Sequence, residues 1–480
     1  MRVVKFGADG IRGVAGKWPL TRQAARSLGC ALGRFLRSES GGLTDPPHVI
    51  IGRDTRPSGV RLVRGLIAGL RSQGVDVTDL GIVTTPGVAY LTKRKSASLG
   101  LIVSASHNPP EYNGIKFVDS RGLRLRREAE IEDMINESAA EELEPSANEG
   151  QRFSGQHLVE LYIQDQVRLC PFKSLHGLKL VLDCANGAAS QTAPLVFKEL
   201  HAEVWVMNES AEHKINDRCG SEYVRQHPQD LIEAVRRYGA AYGFAFDGDG
   251  DRLVVVDKDG YMYDGDDFLF VLARYFHELG ELRGETIVTT HMANTGLKKA
   301  LISWGISTVL TEHGDKHLEA EIWSKNYLLG SEQVGNVIIH DGHHAAADSL
   351  YAAMIISGII CTQGALCDLV SPLQKYPQVL ASTHVARMPP LEKIGPLQRQ
   401  REGMQAVLGE NSRMLAWYSG TEGRLFKTMV EGSPGNTLEQ VQSEAVAVCR
   451  IVQHATGSED QEPTVLDLSS RNRVRPAKTG

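Results

Sequence analysis

Three aspartates, Asp247, Asp249 and Asp251, alternate with Gly248 and Gly250 in the run AFDGDGDRLVVV, directly after an apolar segment that reads as a β-strand. Carboxylates at that spacing repel one another, and they converge on one point only where a cation offsets the repulsion. An all-oxygen donor set selects Mg²⁺ or Ca²⁺ over softer metals. A plain Asp-Gly turn needs one such pair rather than three aspartates, and a calcium-binding hand would continue with ligands where Leu253, Val254 and Val255 stand. The run is therefore expected to hold Mg²⁺, with a phosphate oxygen and water completing the shell.

A phosphate donor is then expected nearby. In GLIVSASHNPPEYNGIKF an apolar strand opens into a loop that presents Ser104, Ser106, His107 and Asn108 ahead of two stiffening prolines. A hydroxyl there can carry a phosphoryl group covalently and give it back, splitting one difficult transfer into two; an ordinary Ser/Asn turn has the same composition. In AWYSGTEGRLF, Ser419, Gly420 and Thr421 can offer hydroxyls and backbone N–H groups to an anion, with Arg424 and Lys427 close by, although a solvated basic turn reads alike. Glu332 and Gln333 in LLGSEQVGNVIIH sit at a hairpin tip able to hold hydroxyls. His343 and His344 are adjacent, so they share no helix face, and no cysteine accompanies them; they are read as non-functional.

These loops need strands to present them. Apolar runs ending in Gly-rich loops and followed by helix-period segments recur at 48–59, 178–188 and 285–296, which predicts repeated α/β units with the loops at the carboxyl ends of the strands, where open α/β sheets bind ligands. The first helix should start at Thr21 and bury Ala24, Ala25, Leu28, Ala31, Leu32, Phe35 and Leu36. A Glu-rich surface helix and linker over 128–150 mark a boundary near 153. The expected units are 1–153 with the serine loop, 154–255 with the aspartate loop, 256–372 with the Glu332 hairpin, 373–456 with the anion turn, and a disordered tail over 457–480.

With 480 residues the chain is too long for one hydrophobic core. Its 52 Lys and Arg against 58 Asp and Glu give a formal charge of -6, which supplies no basic field for nucleic acid. Seven scattered cysteines without a CxxC pair suit reduced thiols, and the absence of a signal-like start or a long apolar stretch predicts a cytoplasmic protein with no membrane partner.

Taken in order, FGADGIRG, SASHNP, DGDGDR, GSEQVGN and SGTE resemble the motifs of the α-D-phosphohexomutases, over residues 6 to 432. Within that family DCANGA, the Glu-Gln pair, YPQVL and MVEG look most like the bacterial phosphoglucosamine mutase branch, with phosphomannomutase/phosphoglucomutase as the alternative and a non-catalytic sugar-phosphate binder as the reading from another class. The resemblance implies a four-domain fold, three similar α/β domains plus a smaller C-terminal α+β domain around a central cleft, in a chain able to form a homodimer. It implies that Ser106 carries the phosphoryl group and joins Asp247, Asp249 and Asp251 at Mg²⁺, and that Arg12, His107, Lys116 and Arg252 line the reacting centre. Glu332 and Lys316 would bind the sugar phosphate, with Ser419, Gly420, Thr421, Arg424 and Lys427 gripping its distal phosphate. The family's usual Thr is Ala8 here, its Arg is Lys316, its Ser and His are Val334 and Asn336, and its phosphate-loop Arg, Pro and Arg are Trp417, Gly423 and Lys427.

Overall fold

The computed structural model describes residues 10–39, 45–125, 130, 132–133, 136, 146, 148–210, 213–344, 346–419, 423–458 and 461–469. It comprises two compact units, one of residues 1–291, 308–370 and 473–480, the other of 292–307 and 371–472. The first unit contains three sheets. Strands β1 (Ile11–Val14), β2 (His48–Arg53), β3 (Asp76–Ile82), β4 (Leu99–Val103), β5 (Tyr112–Asp119) and β6 (Arg152–Ser154) lie in the order β1-β5-β4-β2-β3-β6. The β2, β3, β4 and β6 pairings are parallel, and β5 runs antiparallel to β1 and β4.

Alternation explains the two-sided core of this sheet. Val49, Ile51, Leu99 and Leu101 face the helices Arg22–Glu39 and Pro57–Ser72, whereas Ile50, Leu80 and Ile102 join Val88, Leu91, Leu158 and Tyr162 on the other side. Thr21 Oγ1 accepts the Ala24 N–H at 3.1 Å, and all seven apolar residues expected on the first helix are buried. That helix crosses its neighbour at glycines: a Cβ on Gly69 would stand 2.1 Å from the Arg26 carbonyl oxygen, and one on Gly29 2.4 Å from that of Leu66.

The second sheet takes β7 (Lys179–Asp183), β8 (Glu203–Met207), β9 (Tyr242–Phe246), β10 (Leu253–Asp257) and β11 (Met262–Tyr263) in the order β11-β10-β9-β7-β8. The third takes β12 (Thr286–Thr290), β13 (Ser307–Thr311), β14 (Leu329–Ser331) and β15 (Val337–Ile339) in the order β13-β12-β14-β15, with Glu332 to Asn336 at the tip of the β14–β15 hairpin.

In the other unit β16 (Gln378–His384), β17 (Arg413–Tyr418), β18 (Leu425–Glu431) and β19 (Thr464–Asp467) form an antiparallel sheet in the order β17-β18-β16-β19. The helix Leu438–Thr456 buries Val441, Ala445, Val448 and Val452 against Val379, Phe426 and Val430.

Several expected boundaries move. The 128–150 stretch lies largely outside the described residues, and beyond it β6 returns to add an edge strand beside β3, so the first domain runs past 153 and the helix Gln156–Leu169 packs into its core. A boundary at 255 would cut β10, whose hairpin with β11 keeps the second sheet intact to Tyr263. Residues 292–307, expected in the third domain, join the C-terminal unit: the buried Glu431 carboxylate accepts the Thr295 N–H at 3.1 Å, and Arg413 Nη2 donates to the Ala293 carbonyl at 2.6 Å. The expected tail is not wholly disordered, since β19 satisfies the open edge of β16; residues 470–480 lie outside the described residues. All seven cysteines are free, and among the described residues no helix is long and apolar enough to cross a membrane.

The helix crossing is tight enough to test. Gly69→Ala forces two backbones apart and is expected to destabilise the first unit by about 1–3 kcal/mol in urea unfolding; no measurable loss would mean that the crossing tolerates a methyl group.

Candidate functional site

The fully buried strand β9 delivers its chain directly into the aspartate loop. Asp247 folds that loop itself: its Oδ1 accepts the N–H groups of Gly250 and Asp251 at 3.0 Å and of Arg252 at 3.3 Å. Gly250 has φ +73°, a left-handed conformation that favours glycine, and a Cβ there would meet Thr84 at 2.7 Å. The loop Cys184 to Ala188 buttresses the outside, with the Ala188 N–H on the Gly248 carbonyl at 2.9 Å and no room for a Cβ on Gly187.

All three carboxylates are buried, and each offers an oxygen within 4.8 Å of the others. Two oxygens of these carboxylates, Asp249 Oδ1 and Asp251 Oδ1, are buried with no hydrogen-bond partner, a costly condition that a divalent cation would relieve. Burial and repulsion from Asp247 and Asp249 push the Asp251 carboxyl well above the usual range, and burial with Asp249 raises Asp247. Burial opposes ionisation of Asp249 too, but the Lys116 ammonium at 2.9 Å and the Thr85 hydroxyl at 2.6 Å hold it below the usual range. Lys116 also reaches Asp251 Oδ2 at 3.5 Å. The donor set thus fits a hard cation.

Ser106 meets this cluster. It follows β4 with φ 50°, and its Oγ donates to Asp247 Oδ2 at 2.6 Å while lying 3.3 Å from His107 Nδ1. Charge from Arg252, then burial, then Arg12 hold the His107 imidazole well below its ordinary pKa, so it is neutral. Arg12 Nη1 donates to Asn108 Oδ1 at 3.2 Å within the same loop, and Arg252 Nη1 lies 3.5 Å from Glu222 Oε2. Ser106, His107, Lys116, Arg12, Arg252 and the three aspartates therefore stand in one constellation, assembled from positions up to 240 residues apart.

Glu332 is tied to that constellation through the backbone. Leu253 N–H donates to the Gly335 carbonyl at 3.0 Å, Arg252 and Asn336 form a β-bridge, and Asn336 Nδ2 donates to the Asp251 carbonyl at 3.2 Å. The Glu332 carboxylate accepts the Gly314 N–H at 2.7 Å, and burial together with Asp315 pushes its pKa up to about 7. Lys316, one residue into the helix Asp315–Lys325, lines a groove with Leu123, Arg124 and Trp323. In the C-terminal unit Ser419 follows β17, its N–H on the Leu425 carbonyl at 2.8 Å; Arg424 donates to the Ala386 carbonyl; Lys427 pairs with Trp417 across β17 and β18. Gly420 and Thr421, like Ala8, lie outside the described residues.

Sequence reasoning did not single out Asp54, Arg56, Thr85 or Asn216, each of which touches the serine or aspartate loop. Asp54 and Arg56 have a signal, since they lie in the Gly-rich loop that ends the apolar run within 48–59. Thr85 and Asn216 have none, for their partners lie more than 100 residues away.

Profiles described as phosphoglucomutase/phosphomannomutase alpha/beta/alpha domains I, II and III match residues 3–142, 160–260 and 264–376. A phosphoglucosamine mutase of Bacillus cereus (strain AH187) is 39% identical over 433 residues, covering 89% of this chain and 94% of the relative, and one of Bacillus anthracis (strain CDC 684 / NRRL 3495) aligns equally. A solved phosphoglucomutase/phosphomannomutase family protein from Burkholderia thailandensis superposes with TM-score 0.77 at 26% identity, covering 96% of this chain and 99% of its own. An N-acetylglucosamine-phosphate mutase in its product complex has TM-score 0.62 at 16% identity, covering 94% and 97%, a likeness of fold.

The Glu332 environment makes a pH prediction. Its folded pKa of about 7 exceeds the ordinary 4.5, so between those values the folded state holds a proton that the unfolded state has lost. Stability falls over that window as pH rises and levels off above it. Glu332→Gln should remove that decline in calorimetric scans and be the more stable protein at pH 8; an unchanged profile would place the titration elsewhere.

Proposed function

The chain belongs to the phosphoglucomutase/phosphomannomutase family, and on that premise we propose that it interconverts glucosamine 6-phosphate and glucosamine 1-phosphate through phosphorylated Ser106. As an enzyme it is a phosphosugar mutase, an isomerase. The single observation that carries the mechanism is Ser106 Oγ at 2.6 Å from an aspartate of a buried three-carboxylate cluster.

Asp247, Asp249 and Asp251 would hold Mg²⁺ together with the Ser106 oxygen or its phosphate, and the bound ion would neutralise charge on the transferring phosphoryl group. In the first half-reaction the phosphorus–Oγ bond of Ser106 breaks and a bond to sugar O1 forms. Neutral His107, beside the reacting oxygen, takes the O1 proton and hands it to the departing Ser106 Oγ, which leaves as a hydroxyl. The 1,6-bisphosphate turns end for end. In the second half the Ser106 hydroxyl gives its proton to His107 as Oγ attacks the 6-phosphate, the phosphorus–O6 bond breaks, and O6 takes that proton. Arg12, Lys116 and Arg252 supply positive charge around a phosphoserine that is mostly dianionic at neutral pH. Glu332 would select the sugar through its hydroxyls, and Ser419, Gly420, Thr421, Arg424 and Lys427, with Lys316, would bind the distal phosphate.

A mutase with relaxed choice among glucosamine, mannose and glucose phosphates is the second reading. It is favoured by Val334 and Asn336 in the sugar loop, where Asn336 spends its amide on the Asp251 carbonyl. Ratios of kcat/KM across the three sugars separate the two readings.

Intact-protein mass spectrometry should find one phosphate on the wild type and none on Ser106→Ala, which should also lose mutase activity; an active Ser106→Ala would overturn the covalent mechanism. Added Mg²⁺ should raise the melting temperature of the wild type. Asp251→Asn relieves repulsion among the carboxylates, so it should stabilise the metal-free protein by about 1 kcal/mol and abolish the Mg²⁺ response. A retained Mg²⁺ shift in Asp251→Asn would move the ion elsewhere.

A further inference from the structure

We propose that Asn216, acting with the buried Asp54–Arg56 pair, is a positioning residue for phosphoryl transfer that clamps the Ser106 main chain in the left-handed conformation aiming Oγ at the aspartate loop. The proposal rests on Ser106 being the phosphorylated group.

Ser106 has φ 50°, a conformation that costs a non-glycine residue about 1–3 kcal/mol and persists only where its surroundings impose it. Both of its main-chain groups are held. Its N–H donates to Ser104 Oγ at 2.8 Å, and that hydroxyl donates to Asp54 Oδ2 at 2.7 Å. Its carbonyl accepts two side-chain donors, Arg56 Nη2 at 2.9 Å and Asn216 Nδ2 at 2.7 Å. The same two groups also reach the Asn108 carbonyl, at 2.7 and 3.1 Å.

Arg56 has no donor left for anything else. Nε lies on Asp54 Oδ2 at 2.9 Å, Nη1 on the carbonyls of Pro109 and Tyr112, and Nη2 on those of Ser106 and Asn108, which accounts for every guanidinium N–H. The Asp54 and Arg56 side chains are both completely buried, so this arrangement is rigid.

Asn216 closes the clamp from the other sheet. It lies between β8 and β9, its own φ is 59°, and its N–H donates to the Ala185 carbonyl at 2.9 Å. A Cβ on Gly248 would stand 2.8 Å from the Ser106 carbonyl oxygen and 2.9 Å from Asn216 Nδ2, so clamp, serine and aspartate loop meet at one point. A phosphate on Ser106 adds about two negative charges beside three carboxylates. Arg12, Lys116 and Arg252 offset part of that charge, and the clamp holds the serine in place against the remainder.

Asn216 is the informative position, because losing Arg56 leaves Asp54 as a buried unpaired charge that threatens folding. In full-length enzyme, Asn216→Ala should lower kcat by about 10²-fold, the effect of a 1 Å misplacement, with KM for glucosamine 6-phosphate unchanged. Asn216→Asp, which sets a carboxylate against two carbonyls, should fall further. The melting temperature should fall only slightly, from alanine held at φ 59° and the lost amide bonds, while the ³¹P resonance of phosphoSer106 shifts. Wild-type kcat in Asn216→Ala with Ser106 phosphorylated overturns the clamp alone. So does a lower kcat that tracks a lower melting temperature with an unmoved ³¹P signal, which marks a structural role. A wild type that carries no phosphate on Ser106 overturns the mutase mechanism and the clamp with it.

Discussion

Mutual repulsion among Asp247, Asp249 and Asp251 is the constraint to which the surrounding structure answers. Three carboxylates buried within 4.8 Å of one another are untenable in a folded protein unless positive charge reaches them. Lys116 and Arg252 bring part of that charge from the protein itself, and two partnerless carboxylate oxygens leave the balance to a cation. The stability forgone at this point is what a cation bound there would restore.

Such a site works only if its loops do not relax. The aspartate loop is folded by its own first carboxylate, backed by the Cys184 to Ala188 loop and bridged to the Glu332 hairpin. Missing side chains at Gly187 and Gly248 let these loops touch backbone to backbone, closer than any side chain permits. The strain of a left-handed Ser106 is carried by hydrogen bonds to Arg56, to Asn216 and to Ser104, which Asp54 holds in turn, rather than by the serine loop alone. Rigidity therefore comes from connections between sheets, and each sheet supplies only strands and an exit direction.

Charge has a second role around the serine. The cations that steady the carboxylates also keep His107 neutral, so one electrostatic arrangement sets an uncharged imidazole next to the Ser106 hydroxyl. Glu332, pushed up to about 7 by burial and Asp315, is at the opposite extreme, a carboxyl that titrates near neutrality.

What the amino-acid order determined by itself was local: strand-loop-helix units, the stripe from Ala24 to Leu36, the carboxylate cluster of DGDGDR and the motifs that place the chain in its family. Each depends on neighbours in sequence, on periodicity or on residue type, and all of these can be read along one line. Convergence was decided in three dimensions. Asn216 gripping the Ser106 carbonyl, Thr85 on Asp249, and β19 completing the C-terminal sheet join residues 82 to 164 positions apart. The migration of 292–307 into the C-terminal unit turned on a buried Glu431 that no periodicity announces. Contacts of that range arise from packing and from the satisfaction of buried polar groups, which depend on the whole fold rather than on any window of its sequence.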